Sequence, residues 1–284
     1  MGYNHINITF TWLHLEYVSA VWGYKDNNRC ERVAQRAMRY YLGVHSKAPI
    51  VALVGDMGWR SSQYHRHLNM IHYWNRMIEM DNNRLTKQVF LYDKQMCKEN
   101  WCDEIKMLCN ATGHMPNFNN LLHIDIEYFN EKNHENFENR WNYGLSSKPK
   151  LRTYITFKNT INTEDYVKQC ISRRKRSLLA QFRLGILPLA IETGRFKGVE
   201  ARERVCKICN TDNVEDEMHM LNTCCVYNNI RSEMYNRVRQ KFSNFINLDD
   251  DQKFQYLIKN EWREVSNFID KAWEMRSQKL YVTP

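Results

Sequence analysis

The sequence predicts a mainly α protein: a helical, bundle-like N-terminal part followed by a small helical C-terminal part stapled at a cysteine/histidine cluster. Apolar residues recur at helical spacing along most of the 284 residues. Only 5 prolines and 10 glycines interrupt them, too few for a turn-rich β chain. Hydrophobic residues make up 43% and charged residues 26%, an ordinary globular balance that allows one large core or two modest ones.

Asp26–Val44 reads as the first clear helix. Ala34, Ala37, Met38 and Tyr41 share one face, while Arg29, Arg32, Arg36 and Arg39, at i, i+3, i+7 and i+10, share another. Gly43 suits its C-terminal cap. GDMGW (Gly55–Trp59) reads as a loop ahead of a second helix, Ser62–Met80, whose apolar side is Leu68, Ile71, Trp74, Met77 and Ile78. His65, His67 and His72 on that helix have no carboxylate or thiol at matching spacing, so they read as surface or partly buried residues and not as ligands.

Further helices are expected over Arg84–Asp93 and Trp101–Asn110, then a polar break over Asn110–Asn120 with Gly113 and Pro116. A polar helical stretch runs to Trp141, and Gly144–Lys150 is a second break. The expected division is therefore a helical region at 1–112, a polar connecting region at 113–150, and a third region at 151–284. Leu151–Phe157 fits either a short extended piece or a helix start. Glu164–Leu184 reads as one basic helix with Val167, Ile171, Leu178 and Phe182 inward. Tyr227–Phe245 reads as helix through Ile230, Met234, Val238 and Phe242. Asp249–Asp251 are placed to start a last helix carrying Phe254, Leu257, Ile258 and Trp262, since acids favour the positive end of the helix dipole. No internal repeat is present.

Charge is unevenly placed. Residues 168–207 hold eleven Lys or Arg against three acids, a net +8 out of +9 for the whole chain. Such asymmetry points to a polyanionic partner, RNA or DNA backbone, with Arg173, Arg174, Lys175, Arg176 and Arg183 as candidate phosphate contacts and Arg29, Arg32, Arg36 and Arg39 as a second set. The plainer alternative is a solvated helix face.

Nine cysteines raise the question of disulfides. The first 24 residues lack a basic start, His14 and Glu16 interrupt their apolar run, and no stretch of 18 apolar residues exists. The expectation is no signal peptide, no membrane partner and a reducing intracellular compartment, nucleus or cytoplasm, where clustered cysteines more often bind metal than pair. Cys30, Cys97, Cys102, Cys109 and Cys170 are scattered and read as small core residues. The rest cluster in VCKICNTDNVEDEMHMLNTCC as Cys206-x2-Cys209-x9-His219-x4-Cys224. Zinc takes four such ligands in a tetrahedron. The x9 spacer is longer than that of the retroviral nucleocapsid knuckle, and two-histidine fingers need a second histidine. Cys225 is an alternative to Cys224, and Arg204 and Lys207 lie close enough in sequence to offset thiolate charge. Four protein ligands leave no open position, so the expected zinc is structural.

LLAQFRLGILPLAIETGRF (Leu178–Phe196), then ERVCKICN and EDEMHMLNTC, resembles the C-terminal region of reverse transcriptases of non-LTR (LINE-type) retrotransposons, whose Cys-Cys-His-Cys segment matches here at Cys206, Cys209, His219 and Cys224. YVSAVWGY, RAMRYYLGV and GDMGW are similar to the thumb that follows the palm in that family. The resemblance covers most of the chain, most strongly Leu178–Tyr227 and least between Asn110 and Gly144. It implies a zinc-stapled, nucleic-acid-binding region that works beside a polymerase core supplied by another chain. The departure is the palm: no aromatic-x-Asp-Asp hairpin is present, and the pair Asp249–Asp250 follows the zinc segment and reads as a helix start. Nor is there an endonuclease segment, a Gly-rich phosphate loop, a nucleophile elbow or a His-Glu-x2-His. The expectation is a fragment with no catalytic residues and no polymerase activity. The alternative is a non-catalytic interaction or remnant scaffold with no nucleic-acid role.

Overall fold

The structure, a computed structural model, describes residues 16–24, 28–96, 99–113 and 118–281. Its helices are α1 (Ser19–Trp22), α2 (Asn28–Leu42), α3 (Ile50–Met57), α4 (Ser62–Glu79), α5 (Leu85–Met96), α6 (Trp101–Ala111), α7 (Ile126–Ser146), α8 (Tyr154–Phe157), α9 (Asp165–Lys168), α10 (Arg173–Arg183), α11 (Ala190–Phe196), α12 (Asn228–Lys241), α13 (Asp250–Asn260) and α14 (Trp262–Tyr281). Among the described residues the β content is one isolated antiparallel bridge, Val205 with Val214. The fold is mainly helical, as the periodicity predicts.

The described residues divide into two compact units that interleave in sequence: those within 16–37 and 59–143, and those within 38–58 and 144–281. The division differs from the three-part reading, because 113–150 is no separate connector. Most of it is the 21-residue α7, whose Phe129 is fully buried in the first unit.

In the first unit Ser61 caps α4 by accepting from Tyr64 N, and Asn100 caps α6 by accepting from Asp103 N. The core gathers Met70, Ile71, Trp74 and Met77 of α4, Phe90 of α5, Cys102, Ile105 and Cys109 of α6, and Phe129 of α7. Trp74 organises it, edge-on to Phe90 and Phe118 and stacked on Trp101. Buried Lys87 donates to the carbonyls of Met77 and Ile78, which have no helical partner at the end of α4. His65 and His67 are half-buried on α4, and burial pushes both down to about 4.

In the second unit α14 packs against α10, α12 and α13. Four expectations need correction here. GDMGW is not a loop up to Gly58: Gly55, Asp56 and Met57 are the buried last turn of α3, which ends at Gly58 with φ 67°. Tertiary contacts override the weak helix propensity of Gly and Asp, because Asp56 accepts from Tyr154, Tyr166 and Arg183. The basic helix is broken into α9 and α10, because Gln169 and Ser172 are extended and Ser172 accepts from Lys175 N as a new N-cap. Trp262 belongs to a further helix, α14, after the break at Glu261. Cys170 is exposed and is no core residue. Cys102 and Cys109 are buried, Cys30 is half-buried, and Cys97 and Pro116 lie outside the described residues. Leu151–Phe157 resolves into a 3-10 turn, Pro149–Leu151, and the single turn α8.

Candidate metal centre and basic surface

The cysteine pair sits on a miniature hairpin. Cys206 N donates to Asn213 O at 2.8 Å, and Glu215 N donates to Arg204 O at 2.9 Å. Between these rungs the chain reverses through Asn210 and Asp212, both at positive φ, a conformation that Asn and Asp tolerate better than other side chains. This turn presents both sulfurs to one side.

The other two ligands come from a π turn, His219–Thr223. Five residues of α-helix rotate about 500°, which leaves positions i and i+5 roughly 140° apart. The π turn instead closes i onto i+5: Cys224 N donates to His219 O at 2.8 Å. The x4 spacing and the unusual turn therefore belong together. His219 N donates to Asp216 Oδ1 at 2.8 Å, and His219 Nδ1 lies 3.0 Å from Thr223 Oγ1. That leaves Nε2 facing Cys209 Sγ at 3.4 Å.

The ligand atoms of Cys206, Cys209, His219 and Cys224 all lie within 4.8 Å of one another. Zinc–sulfur bonds of about 2.3 Å and zinc–nitrogen bonds of about 2.0–2.1 Å give a tetrahedron with edges of roughly 3.5–3.8 Å. The cluster can hold a metal, and its donor set of three thiols and one imidazole is compatible with zinc. Geometry selects Cys224 over its neighbour. Cys224 is fully buried in the cluster, while Cys225 is exposed with its sulfur 3.9 Å from Cys209 O. Hydrogen bonding with Cys206 lowers the Cys224 thiol, and hydrogen bonding with Cys224 together with burial pushes Cys206 up to about 12.

No protein-family model matches the chain, and no curated protein or solved structure matches it.

Around the cluster the structure adds residues that sequence reading passed over. The acids Glu215, Asp216 and Glu217, within the x9 spacer, are anchors. Glu215 takes a two-pronged contact from Arg276, and its Oε1 is 4.0 Å from Cys206 Sγ. Glu217, buried, accepts from Arg152 at 2.8 Å and Thr153 at 3.0 Å, and burial raises its carboxyl. Arg231, also buried, donates to Leu221 O and Cys224 O, carbonyls at the π turn. The sequence signal for these residues was a charge in an otherwise apolar helical period: Arg231 before Met234 and Val238, and Arg276 four residues past Ala272.

The candidate phosphate contacts divide. Arg183 is a correction. It is 2% exposed and paired with Asp56 and Glu164, so it is held inside and unavailable to a phosphate at the surface. Arg176 donates to Tyr41 O at 2.9 Å and lies over the Tyr41 ring at 4.3 Å. Lys175 donates to Asn267, and Arg174 pairs with Asp270 at 2.6 Å. Arg173 is exposed over the Tyr40 ring at 5.1 Å. On α2, Arg29, Arg32 and Arg36 are exposed and Arg39 is half-buried. Among the described residues no helix is long and apolar enough to cross a membrane.

Proposed function

We propose that the chain is a zinc-binding, nucleic-acid-binding helical region, non-catalytic and similar to the post-polymerase region of non-LTR retrotransposon reverse transcriptases. The observation that carries the reading is the approach of four metal-type donors to within 4.8 Å, two of them brought together by a π turn. The same compact unit carries the net-positive 168–207 segment. Zinc here would be structural, since Cys206, Cys209, His219 and Cys224 complete a tetrahedron, and it would tie the hairpin to the π turn that precedes α12. The nucleic-acid role rests on exposed guanidinium groups and suits backbone contacts without sequence reading, beside a polymerase core on another chain.

A second reading has its own support. Arg174, Lys175, Arg176 and Arg183 all have partners inside the protein, so part of the basic segment serves the fold. In that reading the chain is an interaction scaffold. Metal content of the purified chain and a salt titration of oligonucleotide binding separate the two. The nucleic-acid reading expects about one zinc per chain and an affinity for duplex DNA that falls by about 0.9 log units per log unit of salt for each phosphate contact. Zinc with no binding at low salt supports the scaffold. Absence of zinc overturns the first premise of both.

A further inference from the structure

On the strength of the nucleic-acid reading above, we infer that the groove between the C-terminal turn of α2 and the N-terminal turn of α10 is a single-strand site: Arg39, His45 and Arg173 hold a phosphate and Tyr40 stacks an unpaired base. The groove is open, with a volume of about 690 Å³, and is lined by Arg39, Tyr40, Gly43, Val44, His45, Arg173, Arg174 and Ser177. No acid lines it.

Its walls are built and fixed. Gly43 ends α2 at φ 67°, and an added Cβ would meet Ser177 Cβ at 2.8 Å, so α2 and α10 approach as closely as they do because that residue is glycine. Ser177 Oγ donates to Gly43 O at 2.6 Å, and Arg176 Nε donates to Tyr41 O at 2.9 Å. Tyr41 O at the end of α2 and Gly43 O just beyond it are thus held by α10, while Tyr40 O and Arg39 O accept from Gly43 N and Val44 N.

The cations there are short of partners. Arg39 Nε is buried without a hydrogen-bond partner, and neither Arg39 nor Arg173 has a carboxylate among the described residues. A half-buried guanidinium with an unmet donor is unfavourable unless an anion completes it. Arg174 contributes less, because Asp270 already holds it. His45 Nδ1 accepts from Lys47 N at 3.0 Å, which leaves Nε2 as the donor of the neutral ring. Burial and the Lys150 charge lower the His45 imidazole, with Glu192 opposing, and so favour the neutral ring.

Tyr40 decides the ligand class. Its ring is 72% exposed with the Arg173 guanidinium against it. An exposed aromatic beside two unneutralised arginines matches a nucleotide with its base unstacked, and in duplex the π faces are hidden. A duplex could use the arginines but not the ring.

The test is fluorescence anisotropy with the zinc-loaded full chain, a labelled 12-nucleotide oligo(dT) or oligo(rU), and a hairpin duplex. Tyr40→Ala should weaken single-strand binding on the order of tenfold and duplex binding less than twofold, and Tyr40→Phe should restore it. Arg39→Gln with Arg173→Gln should flatten the single-strand salt slope by about 0.7, the share of the one phosphate they hold. Tyr143→Ala, equally exposed, should change neither. If Tyr40→Ala affects both strands equally or not at all while wild type binds, the groove inference is overturned and the nucleic-acid reading stands. If wild type binds neither probe at low salt, both are overturned.

Discussion

Arg183 grips Asp56 with two nitrogens, Nε to Oδ2 at 2.9 Å and Nη2 to Oδ1 at 3.1 Å, and the two side chains are 2% and 0% exposed. The pair joins α3 to α10 across 127 residues of sequence. Tyr154 and Tyr166 donate to the same carboxylate, and Arg183 also reaches Glu164 and Ile258 O. Lys158 reaches Glu164 in turn. Removing one member strands a buried charge, so Asp56→Ala should cost about 3–5 kcal/mol. Urea unfolding with an unchanged slope measures it. Combining Asp56→Ala with Arg183→Met should cost clearly less than the two singles added. A loss below about 1 kcal/mol for Asp56→Ala alone would remove the pair from its organising role.

Acid should weaken the protein in two windows. Burial pushes His65 and His67 down to about 4, against about 6.5 in an unfolded chain. Between those values the unfolded state binds more protons, so stability falls as pH drops from about 6.5 to about 4. Glu16, beside His65 and raised by burial, works the opposite way, so His67 should dominate. For Asp56, burial raises the carboxyl, but the charge and hydrogen bonds of Arg183 outweigh it and hold it below the usual range. Its stabilisation is complete above about pH 4 and is lost as pH falls through the lower, folded value. Melting temperature followed against pH should show His67→Gln flattening the upper window alone.

How far the sequence carried these features depends on locality. Helices with a continuous apolar stripe and a capping residue, such as α4 with Ser61 and α13 with Asp249, were legible because cap and stripe lie within one or two turns. The cysteine/histidine cluster that could hold a metal was legible for the same reason, four donors within nineteen residues. The last turn of α3 was not, because Asp56 is made helical by residues about a hundred positions away. Arg183 looked like a surface charge by composition, and only the fold supplies the acid that takes it inside. The roles of Glu215 and Arg276, sixty-one positions apart, were hidden similarly. The split of the basic helix is the exception, missed although its signal is local: Ser172 competes for the backbone within an otherwise helical period and caps Lys175 N.

Zinc content should follow the ligand set. Wild type should carry about one equivalent, Cys206→Ser with Cys209→Ser close to none, and Cys225→Ser the wild-type amount, by metal analysis of purified protein. Full zinc in the double variant, or loss in Cys225→Ser, would refute the assignment of ligands. Arg276→Met should act more mildly. It frees Glu215 beside Cys206, and such outer contacts are worth roughly 10–100-fold in metal affinity.

The chain should neither extend a primer nor cut nucleic acid. Two-metal phosphoryl transfer needs carboxylates that converge on both ions, and positioning alone contributes little without them. Asp249 and Asp250 are the acidic pair most like a catalytic one, yet Asp249 is committed to backbone. It accepts from Gln252 N at 2.8 Å, and Gln252 Oε1 accepts from Asp249 N at 3.2 Å, a reciprocal cap on α13. Asn222 donates to Asp250 O at 2.6 Å, tying that cap to the π turn. The pair therefore has a structural explanation: Asp249→Ala should cost about 1 kcal/mol, whereas Asn, an equally good cap, should cost little. The Asp249→Asn, Asp250→Asn variant then keeps the fold while removing any metal-binding pair, which makes it the clean control. Primer extension on an RNA template with magnesium should give no product from either protein. Product from wild type and none from the variant would show that this cap doubles as a catalytic centre and that the non-catalytic reading is wrong.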